Sequence, residues 1–175
     1  MISPDSQPTW RAATSADLQA VNDIRDSIHL TLPEGPEVFA EKFRLFPEGC
    51  FVFSREALVL GYGLSHPWLL RMIPPLDQFL GALPALPECL FIHDVVVLPQ
   101  ARGHGAASTL VDLLARLARK RGIPYLALVS VYNTDALWAR FGFQVVTDSV
   151  LSKKLRTYGE TARYMILSLS NAISQ

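Results

Sequence analysis

Cysteine is scarce: Cys50 and Cys89 stand alone in 175 residues, too few for a disulfide framework and in no C-x-x-C or Cys/His cluster that would hold zinc. They read as buried thiols, and no metal is expected. Net charge is missing too, because sixteen Lys and Arg balance sixteen Asp and Glu. No sequence-wide field recruits nucleic acid or an anionic membrane, so an anionic ligand must be caught locally. Long uninterrupted apolar runs are also lacking. The most apolar region, residues 68–99, is broken by Arg71, Pro74, Pro75, Asp77, Pro84, Pro87 and His93, which argues against a membrane span. Met1 to Arg11 has no apolar core segment, so no secretory leader is expected and the chain is assigned to the cytoplasm.

What is present suits a compact fold. Half the residues are hydrophobic and 18% are charged, which fits one buried core and a single domain over residues 1–175. "TWRAATSADLQAVNDIRDSI" predicts a strand and then a helix, capped by Thr14 or Ser15, with Leu18, Val21, Ile24 and Ile28 at helical spacing. A second helix is predicted from Glu37 to Leu45, then a hairpin turning near Arg55 and Glu56. Residues 67–89 carry five prolines and read as a long irregular connection, the kind of insertion that often serves function. "LFIHDVVVL" is a buried strand, residues 107–118 keep the helical period up to a Gly122 stop, and "YLALVSV" is another buried strand. Together they predict a parallel strand–helix–strand unit. A short helix near 134–141, "FGFQVV" and a last strand in "ARYMILSLS" complete the order.

The stretch "VVVLPQARGHGAAST", residues 95–109, puts a glycine-containing loop between the carboxyl end of a strand and a helix N-terminus. Free N–H groups and the positive end of the helix dipole converge there, a seat for an anion such as a pyrophosphate. Gly103 and Gly105 tolerate positive φ and leave room for a ligand, though they also suit an ordinary helix-starting turn. A Walker loop would need Lys-Ser/Thr where Ala106 and Ala107 stand. A dinucleotide fingerprint would need a third glycine at Ser108 and an acid ending the next strand, so a nicotinamide-dependent oxidoreductase is the weakest of three readings.

Arg102-Gly103-His104-Gly105-Ala106-Ala107 resembles the Q/R-x-x-G-x-G/A loop of the GNAT superfamily of acyl-CoA N-acyltransferases. "VLPQARGHGAASTLVDLLARLARKRG" and "YNTDALWARFGFQVV" are similar to further segments of that family, so the motif matches span about residues 90–147. The resemblance implies an α/β (α+β) fold: a mixed, centrally splayed β-sheet flanked by helices, with acetyl-CoA wedged where the fourth and fifth strands part. It implies that the backbone of Val95, Val96 and Val97 pairs with pantetheine, and that Arg102, Gly103, His104, Gly105, Ala106 and Ala107 line the pyrophosphate. Asn133 matches the asparagine near pantetheine and is equally suited to capping the helix after it. One departure is Trp138, four residues before Gly142-Phe143, where the family usually has its acidic tyrosine. An indole cannot serve as an acid at neutral pH, so Trp138 reads as a core residue and Tyr132 as a replacement acid.

Two functions follow from the resemblance: an acetyl-CoA-dependent N-acetyltransferase acting by direct attack of a primary amine, or a non-catalytic acyl-CoA-binding regulatory module, which the loss of the tyrosine motivates. The acceptor is expected to be a small amine or a peptide N-terminus, and a homodimer stays open. The family's acceptor site is shaped by loops corresponding here to about Leu30–Pro36 and Thr147–Thr161, which contain Glu34, Asp148, Lys153, Lys154, Arg156 and Glu160. For the base, Asp94 matches the position of acidic residues that face the amine in some members. His93 is its rival, as a side chain that exchanges protons near neutrality. Strand alternation predicts that the two point to opposite faces, so only one addresses the acceptor.

Overall fold

The computed structural model describes residues 6–169. Among them seven strands form one sheet in the order β1-β2-β3-β4-β5-β7-β6. The strands are β1 Thr9–Ala12, β2 Cys50–Arg55, β3 Leu58–Trp68, β4 Cys89–Val97, β5 Tyr125–Ser130, β6 Gln144–Val145 and β7 Arg163–Ser168. All neighbours are antiparallel except β4 and β5, the pair joined by the long helix α3, Ala106–Lys120. Parallel strands need such a crossover, so the predicted unit is realised.

Helices cover both faces because each carries one apolar stripe. α1, Leu18–Ile28, and α2, Pro36–Leu45, bury Val21, Ile24 and Phe39 against Val52, Tyr62, Leu64 and Val96. α3 buries Leu110, Val111, Leu114 and Ala118 on the other side, against Leu90, Ile92, Leu126, Leu128 and Phe143. Its end is the one the sequence predicts: Gly122 sits at φ +68°, and the N–H of Ile123 donates to the Ala118 carbonyl at 2.9 Å. At the other end the Trp10 indole donates to the Ala106 carbonyl at 2.7 Å, tying β1 to the first turn of α3.

The sheet splays at its centre. β4 and β5 pair only over Leu90–Ile92 and Leu126–Leu128, although β4 runs on to Val97 and β5 to Ser130. Beyond Ile92 the β5-facing edge of β4 therefore has no strand partner among the described residues.

Three expectations change. Residues 147–161 are not a plain loop: α5, Ser149–Leu155, follows Asp148, whose carboxylate accepts from the N–H groups of Val150 and Leu151 at 2.8 and 3.0 Å. "DSVLSKKL" carried that signal as an Asp cap before a short helix with lysines in its last turn. Asp148→Ala is expected to destabilise the fold by about 1 kcal/mol, read from a urea midpoint at unchanged slope. Second, Asn133 caps nothing. Thr134 holds the cap position of α4, Asp135–Ala139, without a side-chain cap bond, while Asn133 is exposed at φ +58°.

Third, His93 and Asp94 do not point to opposite faces. Asp94 pairs with Leu64 and Ile92 with Ser65, leaving His93 as an extra residue in a β-bulge. Phe91 lies on one face and Ile92 on the α3 face, yet Val96 returns to the face covered by α1 and α2, with Val95 and Val97 opposite. The bulge resets the alternation, so both side chains fall on one side.

Candidate active site

A cleft of about 820 Å³ opens along the splay. At one end it is lined by Val95, Val96, Val97, Arg102, Gly103 and Gly105, with Ala106, Ala107 and Ser108 from the first turn of α3. At the other it reaches His29, Glu34, His93, Asp94 and Tyr132. The structure thus gathers most of the sequence-predicted residues around one space. His104 and Asn133 are exposed and lie outside its lining.

The glycine loop owes its shape to two left-handed residues, Gly103 at φ +86° and Gly105 at φ +67°. A Cβ on Gly103 would meet nothing within 4 Å, and one on Gly105 would touch only Ser108 Oγ at 3.5 Å. Conformation rather than crowding therefore requires glycine here. The first-turn N–H groups of α3 have no intrahelical acceptor and face the cleft end where the lining is small. The Arg102 Nε donates to the Val97 carbonyl at 3.0 Å, bracing the loop against β4, while the side chain remains exposed.

Asp94 is held on both oxygens. The Tyr62 hydroxyl donates to Oδ2, and His29 Nε2 lies 2.9 Å from Oδ1. Burial, with the charge and hydrogen bond of Asp94, pushes the Tyr62 hydroxyl far above the usual phenol range, so it remains a neutral donor. For His29 burial opposes the charge, but the hydrogen bond and charge of Asp94 outweigh it and raise the imidazole above its ordinary value. His29 Nδ1 is 3.2 Å from the Tyr132 hydroxyl, and the two rings stack at 5.8 Å. Tyr132 takes φ +54°, a cost of about 1 kcal/mol or more for a non-glycine residue, of the kind that collects at functional sites. Asp94, His29 and Tyr132 thus form a continuous chain from β4 to the end of β5.

His93 belongs to a different network. Its Nε2 donates to Glu34 Oε2 at 2.8 Å, while its Nδ1 is buried without a hydrogen-bond partner. Glu34 also lies 3.4 Å from the Nζ of Lys42, a side chain with no exposed surface, and accepts from the Asp77 N–H. Burial works against the Glu34 charge, but His93, Lys42 and the Asp77 N–H hold its carboxyl down at about 2. It is ionised throughout the neutral range.

Trp138 is half-buried and lines the cleft rather than sitting in the core as predicted. It packs against Phe141 and Phe143 beside the core, and its indole donates to Thr134 Oγ1 at 3.2 Å. His29 and Tyr62 went unnamed in the sequence reading. A tyrosine in a buried strand does demand a hydroxyl partner, which was the available signal for Tyr62. His29 lies 65 positions from Asp94, with no spacing pattern to join them.

With this geometry in place, the comparisons agree on the class. The chain matches the model of the Acetyltransferase (GNAT) family over residues 18–143, and it belongs to that family. No curated protein sequence is significantly similar to it. Among solved structures it is similar to Ard1 from Thermoplasma volcanium, 17% identical over 95% of this chain and 100% of that one, with a TM-score of 0.69. It is also similar to Naa50 of Arabidopsis thaliana in complex with the bisubstrate analogue CoA-Ac-MVNAL: 14% identical, 92% and 97% covered, TM-score 0.66. A GNAT-like decarboxylase, GphF in complex with isobutyryl-CoA, is 16% identical over 92% and 99%, with a TM-score of 0.73. At such identities these neighbours speak to the fold alone.

Proposed function

We propose that the protein is an acetyl-CoA-dependent N-acetyltransferase whose acceptor is a primary amine. The observation that carries this reading is the juxtaposition, in one cleft, of the unpaired edge of β4, the glycine loop and the doubly held carboxylate of Asp94. Acetyl-CoA is a substrate here and supplies the activated thioester. The first-turn N–H groups of α3 suit its pyrophosphate, and Val95–Val97 offer backbone to its pantetheine amides. Neighbours determined with coenzyme A derivatives, Naa50 and GphF, support the choice of an acyl-CoA.

An alkylamine of pKa about 10 is neutral only about one part in a thousand at pH 7, a penalty of roughly 4 kcal/mol. Asp94 addresses it by taking the amine proton, directly or through water, as the new N–C bond forms and the C–S bond breaks. Tyr62 and His29 aim its lone pairs. His93 is the poorer base, because its Nε2 is committed to Glu34 and its free Nδ1 is buried. Tyr132 is the proton donor to the departing sulfur, with its hydroxyl within hydrogen-bond reach of His29 Nδ1. A thiolate of pKa about 8.5 leaves with little help, so Tyr132→Phe is expected to lower kcat by no more than about fivefold. Stopped-time assays following free thiol measure it.

The second reading, a CoA-binding module without turnover, drew on the loss of the usual tyrosine. Tyr132 at the end of β5 weakens that motive. Incubation with acetyl-CoA and a panel of amines decides between the two: tight CoA binding with no thiol released on any amine favours the module.

A further inference from the structure

We infer that His29 is a proton reservoir set between base and acid: it passes its Nδ1 proton to Tyr132 as Tyr132 gives its own to the departing sulfur, while Asp94, on the Nε2 side, takes the proton that leaves the amine. This rests on the acetyltransferase reading above. The need for it is chemical. A phenol of pKa about 10 facing a thiolate of pKa about 8.5 gives up its proton against an equilibrium of roughly thirtyfold. An imidazolium, with an ordinary pKa of about 6.5, reverses that balance if its proton reaches the phenol oxygen as the phenol proton leaves. A tyrosine alone is a poor acid for this sulfur, and a tyrosine backed by a charged histidine is a competent one.

The geometry supplies the path. His29 is the residue that ends α1, its N–H donating to the Arg25 carbonyl at 2.8 Å, and 12% of its side chain is exposed. Nε2 lies 2.9 Å from Asp94 Oδ1, and Nδ1 lies 3.2 Å from the Tyr132 hydroxyl. An ionised carboxylate only accepts, so Nε2 carries a proton, and a second proton on Nδ1 leaves the Tyr132 O–H free to turn into the cleft. The stacked rings, 18° from parallel, keep that hydroxyl at the imidazole edge. Burial disfavours the charged imidazole, but the hydrogen bond and charge of Asp94 on β4 and the charge of Glu34 in the α1–α2 segment outweigh it and raise its pKa. Arg25 on α1 opposes them, with its own charge paired to Asp26 at 2.6 Å, and Tyr62 on β3 stays a neutral donor to Asp94. The negative end of the α1 dipole favours the cation as well. The protons balance. Before the reaction Asp94 is ionised and His29 charged. Once the N–C bond has formed and the C–S bond has broken, Asp94 carries the amine proton, Tyr132 has its proton back and His29 is neutral, so the net charge of the site is unchanged. Solvent then returns one proton to His29 and takes one from Asp94.

His29→Gln separates this role from the aiming of Asp94, because the glutamine amide N–H can replace Nε2 toward the carboxylate but offers Tyr132 no acidic proton. With the full chain, saturating acetyl-CoA and a good primary amine, kcat of the unaltered protein is divided by that of His29→Gln from about pH 6 to about pH 10, a ratio in which the ionisation of the amine cancels. The ratio is expected to be about threefold to fivefold while His29 is protonated and to fall to about one as pH rises through the His29 pKa, at the midpoint read from its ring-proton titration. In a Tyr132→Phe background His29→Gln should cost nothing further at any pH, because both changes cut the same path. The ratio of the unaltered protein to Tyr132→Phe should show the same fall, which keeps the test open should His29→Gln not fold. A ratio that is constant with pH, or effects of the two substitutions that multiply, reduces His29 to aiming Asp94; that result, or a Tyr132→Phe enzyme at full rate throughout, overturns the inference and leaves the acetyltransferase standing. Tight CoA binding by calorimetry with no thiol released by the unaltered protein on the amine panel removes both.

Discussion

Asp94→Asn is expected to lower kcat about 100-fold while acetyl-CoA affinity stays nearly constant, the pattern of a lost general base rather than a lost binding contact. The asparagine keeps the shape, its one oxygen still accepts from Tyr62 or His29, and its amide N–H groups face the other, so the fold and the cleft should survive. What vanishes is the ability to take the amine proton. The deficit should therefore shrink at high pH, where more amine is already neutral. A second readout isolates Asp94 from indirect effects. The hydrogen bond and charge of Asp94 raise the His29 pKa, so Asp94→Asn should lower it, visible in its ring-proton titration. An unchanged kcat on a good acceptor would move the base to solvent, and an unchanged His29 titration would contradict the pairing itself.

The other large effect is expected at the loop. Gly105→Val should weaken acetyl-CoA binding at least about tenfold, because φ +67° with ψ +18° is a left-handed conformation that β-branched residues scarcely enter. The strain has to be relieved by turning the peptide units that begin α3, which redirects the N–H groups meant for phosphate. A Cβ alone is not the obstacle, as the surroundings leave space for it. Gly105→Asn, which tolerates the left-handed region, should consequently lose much less affinity than Gly105→Val. Calorimetric titration of CoA against both variants, each shown folded by its thermal transition, measures the difference. Equal affinities in both would detach the loop's geometry from CoA binding.

How far the sequence reached follows from the range of the signals. α3 and its flanking strands were legible because apolar period, Gly122 and the β-branched runs agree locally. The glycine loop was legible as well, since spacing alone sets two left-handed residues before a helix. The bulge at His93 was not. It depends on how β3 and β4 register across 27 positions, as in the pairing of Ser65 with Ile92, and a slip of one residue reverses every side chain beyond it. The Asp94–His29–Tyr132 chain was half legible: Asp94 and Tyr132 stood out, while His29 joins them only through tertiary packing. Glu34 was visible as a charge in a loop, but its burial with His93 and Lys42 depends on α2 docking against β4's neighbour strand and on the connection folding over it. Family membership likewise leaves the reaction to the site, because one fold supports several chemistries.

The most direct test of the central claim is a stoichiometry. Acetyl-CoA is mixed with the full-length protein and a primary amine, free thiol is followed in solution, and the amine is weighed by mass spectrometry. The account predicts thiol release that depends on the amine, matched one to one by an acceptor heavier by a single acetyl group. Tight binding of acetyl-CoA with no acetylated amine from any acceptor would contradict it.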